Sequence, residues 1–224
     1  MKHGELRKAM GMAPTKVMTA EDFQAETGVS RETLGRLRIY ADLLVKWQRS
    51  INLVGESTQK DLWRRHFLDS AQLYPHLPHD SQPVFDLGSG AGFPGLVLAI
   101  MGVPDVCLIE SDGRKAAFLR EVIRATEVDA SVHVGRIEAF QPKERARVIT
   151  SRALASLDKL LGFAEPLLAS EGVCLFLKGQ KAREELTDSE KKWKISADLR
   201  ASVTDPEGVI LRIDRIERHH GFNS

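Results

Sequence analysis

The residues best placed to do chemistry stand together in the run Phe85-Asp86-Leu87-Gly88-Ser89-Gly90-Ala91-Gly92-Phe93-Pro94-Gly95. Four glycines fall within eight positions, and an acid closes the apolar run that enters them. Glycine lets a backbone turn sharply and approach a ligand where a Cβ would collide. The plainer alternative is a turn and nothing more, and the acid at the strand end argues against it. A dinucleotide fingerprint G-x-G-x-x-G counted from Gly88 needs glycine at the position held by Phe93, and no G-x-x-x-x-G-K-[ST] phosphate loop occurs. The spacing is instead D-x-G-x-G-x-G.

That spacing resembles the loop of Rossmann-like S-adenosylmethionine methyltransferases. S-adenosyl-L-methionine carries no phosphate, so it asks for backbone contacts and carboxylates rather than a pyrophosphate cradle. Gly88 and Gly90 give the close backbone approach, and Asp86 either meets the ligand's ammonium or orients the loop. Glu110 lies 22 positions after Gly88, where an acid takes ribose hydroxyls in dinucleotide folds. Its alternative is a solvated loop acid. Gly135-Arg136-Ile137-Glu138 follows the next strand and forms the expected adenine edge, with Ile137 on the base face and Glu138 at its rim.

The methyl acceptor is expected beside Ser151-Arg152-Ala153, after the fourth strand. The N/D-P-P-Y/F tetrapeptide of amino-methylating enzymes is absent, and neither Cys107 nor Cys174 stands in a loop where a pyrimidine C5 enzyme needs its nucleophile. Both cysteines lie in apolar runs and read as buried reduced thiols. No Cys/His spacing suggests a metal. An acceptor already nucleophilic at neutral pH fits this set, guanine N7 among others, with alignment as the main source of rate. Arg65 and His66, and Lys178 in Lys178-Gly179-Gln180-Lys181, are candidate RNA contacts; a solvated charged face is the alternative for each. His66 and Asp69, one helical turn apart, suggest a surface pair. Arg212, Arg215, Arg218, His219 and His220 read as solvated.

These groups need a scaffold, and the chain's patterning supplies one. Helical spacing marks 31–48, with Leu34, Leu37, Ala41, Leu44 and Val45 on one stripe, and 59–74, with Leu62, Trp63, Phe67 and Leu73. Thr19 and Ser30 are candidate N-caps. From there strands at 84–87, 106–109, 131–134, 147–150 and 173–177 alternate with helices at 95–101, 114–126, 157–168 and 182–191. Such alternation predicts an α/β fold with a mostly parallel sheet and right-handed crossovers. Asp205-Pro-Glu-Gly208 separates two further strands, a C-terminal antiparallel hairpin. The expected division is a tail and N-terminal helical cap over 1–80, with 1–18 as tail, and an S-adenosylmethionine-binding domain over 81–224, in one compact unit. The chain has 224 residues, 42% hydrophobic and 28% charged, with a formal net charge of +1. A basic field over the whole molecule is excluded, so a nucleic-acid site must be a local patch. No apolar run suits a membrane span, no secretory signal is visible, and a cytoplasmic monomer is expected.

Taken together the motifs resemble the ribosomal RNA small subunit methyltransferase G family, also called GidB. The marks are Trp47 with Asn52-Leu53, Arg65-His66-Phe-Leu-Asp69-Ser70, the loop from Asp86 to Gly95, Glu110-Ser111, Phe118-Leu119, Ser151-Arg152-Ala153 and Leu177-Lys178-Gly179. The resemblance runs from about Leu43 to the terminal hairpin. It implies a Rossmann-like class I methyltransferase acting on guanine N7 in 16S ribosomal RNA, free or in the small ribosomal subunit, near the decoding centre. It implies cofactor contacts at Gly88, Phe93, Ile137, Glu138 and Arg152, by direct transfer without a covalent intermediate.

Overall fold

The computed structural model describes residues 16–219. The tail expected over 1–18 lies outside the described residues up to 15, as does His220. Residues 16–18 are held in place: the Met18 amide donates to Asp61 at 2.9 Å, and Arg64 donates to the Lys16 carbonyl at 3.2 Å. Helix α1 (Ala20–Thr27) starts at Thr19, where a reciprocal capping box with Asp22 satisfies two backbone N–H groups. Helix α2 (Arg31–Gln48) starts at Ser30, whose hydroxyl accepts from the Thr33 amide. Its buried face is Leu34, Leu37, Tyr40, Ala41 and Leu44. Val45, expected on that face, is 53% exposed. Tyr40 fills the stripe instead, because an aromatic ring with a partnered hydroxyl buries as readily as an aliphatic side chain.

The helix expected over 59–74 is broken. A short α3 (Glu56–Gln59) is followed by a π-helical turn over Trp63–Leu68, a three-residue α4 (Asp69–Ala71) and a 3₁₀ turn at Tyr74–His76. Gln48 pins the loop before α3, donating to the Val54 carbonyl and accepting from the Leu53 and Val54 amides.

The rest alternates strand and helix: β1 (Val84–Leu87), α5 (Gly95–Ile100), β2 (Val106–Glu110), α6 (Gly113–Thr126), β3 (Ala130–Val134), β4 (Ala146–Arg152), α7 (Leu157–Ala164), β5 (Leu168–Lys178), α8 (Ala182–Glu190), β6 (Trp193–Ala201) and β7 (Val209–Arg218). Helix α7 stops four residues earlier than its pattern suggested, because Leu168 already pairs with Ala146 in the sheet. The sheet order is β3-β2-β1-β4-β5-β7-β6. Strands β1 to β5 pair in parallel, and β7 enters antiparallel between β5 and β6, closing the predicted hairpin. The order reverses between β1 and β4, and such a switch point leaves a crevice beyond the carboxyl ends of the strands.

Two apolar layers flank the sheet. Phe85 and Leu87 face α7 with Leu157, Leu160 and Leu161. Val84 faces the other layer, where Phe23, Leu37, Tyr40, Phe67, Leu96 and Phe118 form one cluster. That cluster joins residues on both sides of position 80, so the N-terminal helices share the core of the sheet. By the period of two, Asp86 points into this layer as well.

Candidate functional site

A cleft of about 900 Å³ opens over the carboxyl ends of β1 to β5. It is within the range of small-molecule sites. Gly88, Gly90 and Phe93 line it from the first loop, Glu110 from the end of β2, Ile137 and Glu138 from the turn after β3, and Arg152 and Leu154 from the end of β4. Arg65, His66 and Asp69 close one wall and Lys178, Gln180 and Lys181 another, with Asp205 on the turn between β6 and β7. One concavity thus gathers the residues expected to meet S-adenosylmethionine, with the exception of Asp86.

Asp86 is fully buried and does not line the cleft. Its Oδ1 accepts from the Thr150 hydroxyl at 2.8 Å on β4, and its Oδ2 has no hydrogen-bond partner. Burial pushes its pKa up to about 6, against the opposing pull of Thr150, Ser89, the Gly95 amide and Arg152. Of the two roles read from sequence, this location favours orienting the loop. The loop is held on its far side by Glu110, whose Oε2 accepts from the Gly90 amide at 2.7 Å while its Oε1 accepts from the Asp112 amide at 2.7 Å. Glu110 is 7% exposed, so its carboxylate reaches the cleft only by an edge. Gly88 turns with φ +64°, and Gly92 with φ +94° stands where an added Cβ would come within 3.0 Å of Leu96, Tyr40 and Leu119. Glycine at 92 is required by packing as well as by backbone conformation.

Phe93 is encased rather than free. Its ring stacks on Tyr40 at 5.2 Å, meets Phe67 edge-on at 5.4 Å and His66 at 5.0 Å. The Arg152 guanidinium lies over it, 4.9 Å from its centroid. Arg152 also donates to the Arg65 carbonyl at 3.1 Å, to Asp69 at 3.3 Å and to His66 Nδ1 at 2.8 Å. The π-helical turn and the residue that follows it carry all three acceptors. A π turn is a recurrent way of presenting groups at functional sites. A guanidinium has five N–H donors; three bonds to protein leave donors for a ligand in the cleft.

Four expectations need correction. His66 lines the cleft but is 5% exposed, and both of its ring nitrogens are engaged within the protein. Its Nδ1 accepts from Arg152, which places the proton on Nε2, 2.8 Å from the Thr58 hydroxyl. Burial, with Arg152 and Arg65 beside it, lowers its pKa to about 3, so the ring is neutral. The surface pair with Asp69 is not formed, since Asp69 binds Arg152, Gln72 and the Thr204 hydroxyl. Ser151 does not face an acceptor: it is 1% exposed and its hydroxyl donates to the Leu87 carbonyl, tying β4 to β1. Lys178 does line the cleft, but its side chain is 10% exposed and is spent on Glu185 at 2.6 Å and the Ala155 carbonyl at 3.0 Å. Arg65 stays at the rim, 40% exposed, paired with Asp205 at 3.1 Å. Cys174 is buried as expected, whereas Cys107 is half-buried; neither lines the cleft.

Sequence reasoning missed Tyr40, whose hydroxyl donates to the Ala91 carbonyl and braces the loop from α2. It also missed Thr58 and Leu154. A tyrosine on an otherwise aliphatic stripe was the available signal for the first; the other two had none.

The family model described as rRNA small subunit methyltransferase G matches residues 33–209. Similar curated relatives include the ribosomal RNA small subunit methyltransferase G of Paramagnetospirillum magneticum, 58% identical over 90% of this chain and 98% of that protein. That of Rhodospirillum centenum is 53% identical over 91% and 94%. The chain belongs to this family. It is a methyltransferase by that membership. Among solved structures it is similar in fold to the TYW2 protein of P. horikoshii in complex with MeSAdo (TM-score 0.53, 16% identity, 66% of this chain and 61% of that one). It is also similar to the glycopeptide N-methyltransferase MtfA in complex with S-adenosyl-L-homocysteine (TM-score 0.54, 12% identity, 66% and 89%). These distant likenesses support the Rossmann-like methyltransferase fold of the family.

Proposed function

We propose that this protein transfers a methyl group from S-adenosyl-L-methionine to N7 of a guanine in 16S ribosomal RNA, directly and without a covalent enzyme intermediate. The observation that carries the reading is the coincidence of the family's match with a cleft whose polar groups suit this cofactor. When bound, the cofactor supplies an electrophilic methyl on a cationic sulfonium. Gly88 and Gly90 would let the backbone lie against its amino-acid portion, and Glu110 would offer a carboxylate edge to the ribose. Ile137 and Glu138 would bracket the adenine. Arg152, fixed by the π turn and Phe93, has donors left to hold a carboxylate or the acceptor.

No cysteine reaches the cleft, and burial drives the Cys174 thiol well above the usual thiol range. Guanine N7 needs neither a nucleophile nor a base, because its lone pair is already in plane. Alignment of that lone pair with the methyl–sulfur axis is the contribution asked of the protein, and well-oriented reactants gain roughly 7–11 kcal/mol. The cap and the sheet act together in this reading, since both furnish the wall around Arg152. The protein works as a cytoplasmic monomer in it, which sedimentation of the active enzyme checks. No helix among the described residues is long and apolar enough to cross a membrane.

The deciding experiment is transfer of labelled methyl to small ribosomal subunits from cells lacking the enzyme, and to the naked RNA. Mass mapping of the product should place one methyl on a guanine N7. Label in protein, or none in RNA, would sink the proposal.

A further inference from the structure

The chain leaves β4 at Arg152 and turns at Ala153 with φ +52°, a left-handed conformation that costs energy for a residue bearing a Cβ. The turn throws Leu154 back over the first loop. A Cβ placed on Gly88 would lie 2.4 Å from a Leu154 methyl, so the leucine rests directly on the glycine. Leu154 is nevertheless 37% exposed, an apolar side chain held open at the mouth of the cleft.

Two side chains keep this turn in place. The Lys178 ammonium donates to the Ala155 carbonyl at 3.0 Å and pairs with Glu185 at 2.6 Å. The Glu185 Oε2 accepts from the Leu157 amide at 2.7 Å. Ser156 stands at the N-cap of α7 but makes no side-chain capping bond, so the carboxylate from α8 caps that helix in its place. The strained turn is thus gripped at the carbonyl of one residue and the amide two residues on, by a single ion pair that bridges β5 and α8.

We propose that Lys178 and Glu185 are positioning residues for methyl transfer: they fix residues 153–156 so that Leu154, seated on Gly88, forms an apolar wall that sets the acceptor base against the reacting methyl and keeps water from it. The proposal rests on the methyl-transfer reading. An apolar wall is what this step needs, because the positive charge passes from sulfur to the base and water beside it would solvate the starting cation. Lys178 acts at a distance, through the backbone of Ala155, and has no phosphate to hold.

The test uses the full-length enzyme, labelled S-adenosylmethionine and small subunits lacking the modification. Lys178→Met should lower kcat by on the order of 100-fold, as a small misplacement of reacting groups does, and leave KM for the subunit and its salt dependence unchanged. Lys178→Arg keeps a cation in reach of Ala155 and Glu185 and should restore most of kcat. Leu154→Ala, at an exposed site that does not threaten folding, should lower kcat as well. Combined with Lys178→Met it should cause no further loss, since both act through one element. If Lys178→Met fails to fold, Glu185→Gln and Leu154→Ala carry the same comparison. Unchanged kcat with a raised KM and a shallower salt slope would make Lys178 a phosphate contact and overturn the inference. Additive losses in the double variant would overturn it too. A wild-type enzyme that labels no RNA would sink the methyl-transfer reading first, and the inference with it.

Discussion

Replacing Asp86 with Asn should make the stability difference between variant and parent depend on pH in a defined direction. The carboxyl is fully buried, with one hydroxyl donor on Oδ1 and no partner on Oδ2. Its pKa rises from 3.8 to about 6. A raised carboxyl pKa means that the folded state prefers the proton. Below the unfolded value of 3.8 the acid is neutral in both states and costs nothing. As the pH climbs from there to about 6 the unfolded chain ionises first and stability drains away, until above that range the full penalty is present. At 1.36 kcal/mol per unit, the two-unit shift amounts to about 3 kcal/mol. Asn keeps the acceptor for Thr150 and cannot ionise. Relative to the parent, Asp86→Asn should therefore gain about 3 kcal/mol between acid and neutral pH, on top of any pH-independent offset from the amide. Urea unfolding of both proteins at a series of pH values measures this. A difference that stays flat across the range would show that Asp86 is not held near neutrality by burial.

Gly92→Ala should destabilise the fold by about 1–3 kcal/mol from overpacking, before the cost of its positive φ, and urea midpoints would read it. His66→Gln removes the opposite pH effect. The His66 pKa is lowered to about 3 from 6.5, so the parent keeps its stability above 6.5 and loses it as pH falls toward 3, by about 1.4 kcal/mol per unit at most. The glutamine variant should lack that slope; a retained slope would assign it elsewhere. Lys115, Arg136, Lys159 and Lys181 line the cleft and form no ion pair among the described residues. Changing them to Ala should flatten the salt dependence of RNA binding by about 0.7–0.9 for each phosphate no longer neutralised, whereas Lys178→Met should not change it. Equal slopes for the parent and the four-residue variant would remove the rim from the RNA site.

Strands β1, β2 and β4 were legible because each is a short apolar run, and Asp205-Pro-Glu-Gly208 announced the hairpin; β6, polar and half-exposed as WKISADLRA, starts at Trp193 where its pattern gave no sign before Asp198. The bounds of helix α2 were legible, from Ser30 as cap to Gln48, and its buried stripe was legible except for Val45 and Tyr40. The segment 59–74 was not, because its apolar spacing fits an α-helix and the π turn answers to tertiary demands. Arg152 takes the Arg65 carbonyl, Asp69 and His66, and Phe93 packs beneath. Nothing local in Trp63–Leu68 encodes those partners. That Gly88, Gly90, Glu110, Ile137 and Glu138 line one cleft was legible, because glycines and acids at strand ends have few other uses; that Asp86 does not line it was not. The pairing of the charges around the cleft was not, because a charge in sequence does not state its partner: Lys178 binds Glu185, and Asp69 binds Arg152.

That last failure has a physical basis that bears on the RNA surface. With 32 Lys and Arg against 31 Asp and Glu, most cations can find a carboxylate, so type alone says little about which remain available. On the cleft wall Lys178 and Arg152 are 10% and 17% exposed at the side chain, and each is engaged by a carboxylate and a backbone carbonyl. A buried cation must be paired, since removal from water costs several kcal/mol. A cation destined for a phosphate must be solvated while it waits. In the proposed reading, depth in the cleft therefore sorts the two roles: the deep cations would shape the walls around the methyl, and the exposed ones at the rim would meet the RNA backbone. Arg65 lies between, 40% exposed and paired across the cleft with Asp205. An exposed pair of this kind is worth about 1 kcal/mol or less, so a phosphate arriving at the rim can take Arg65 from Asp205 at little cost.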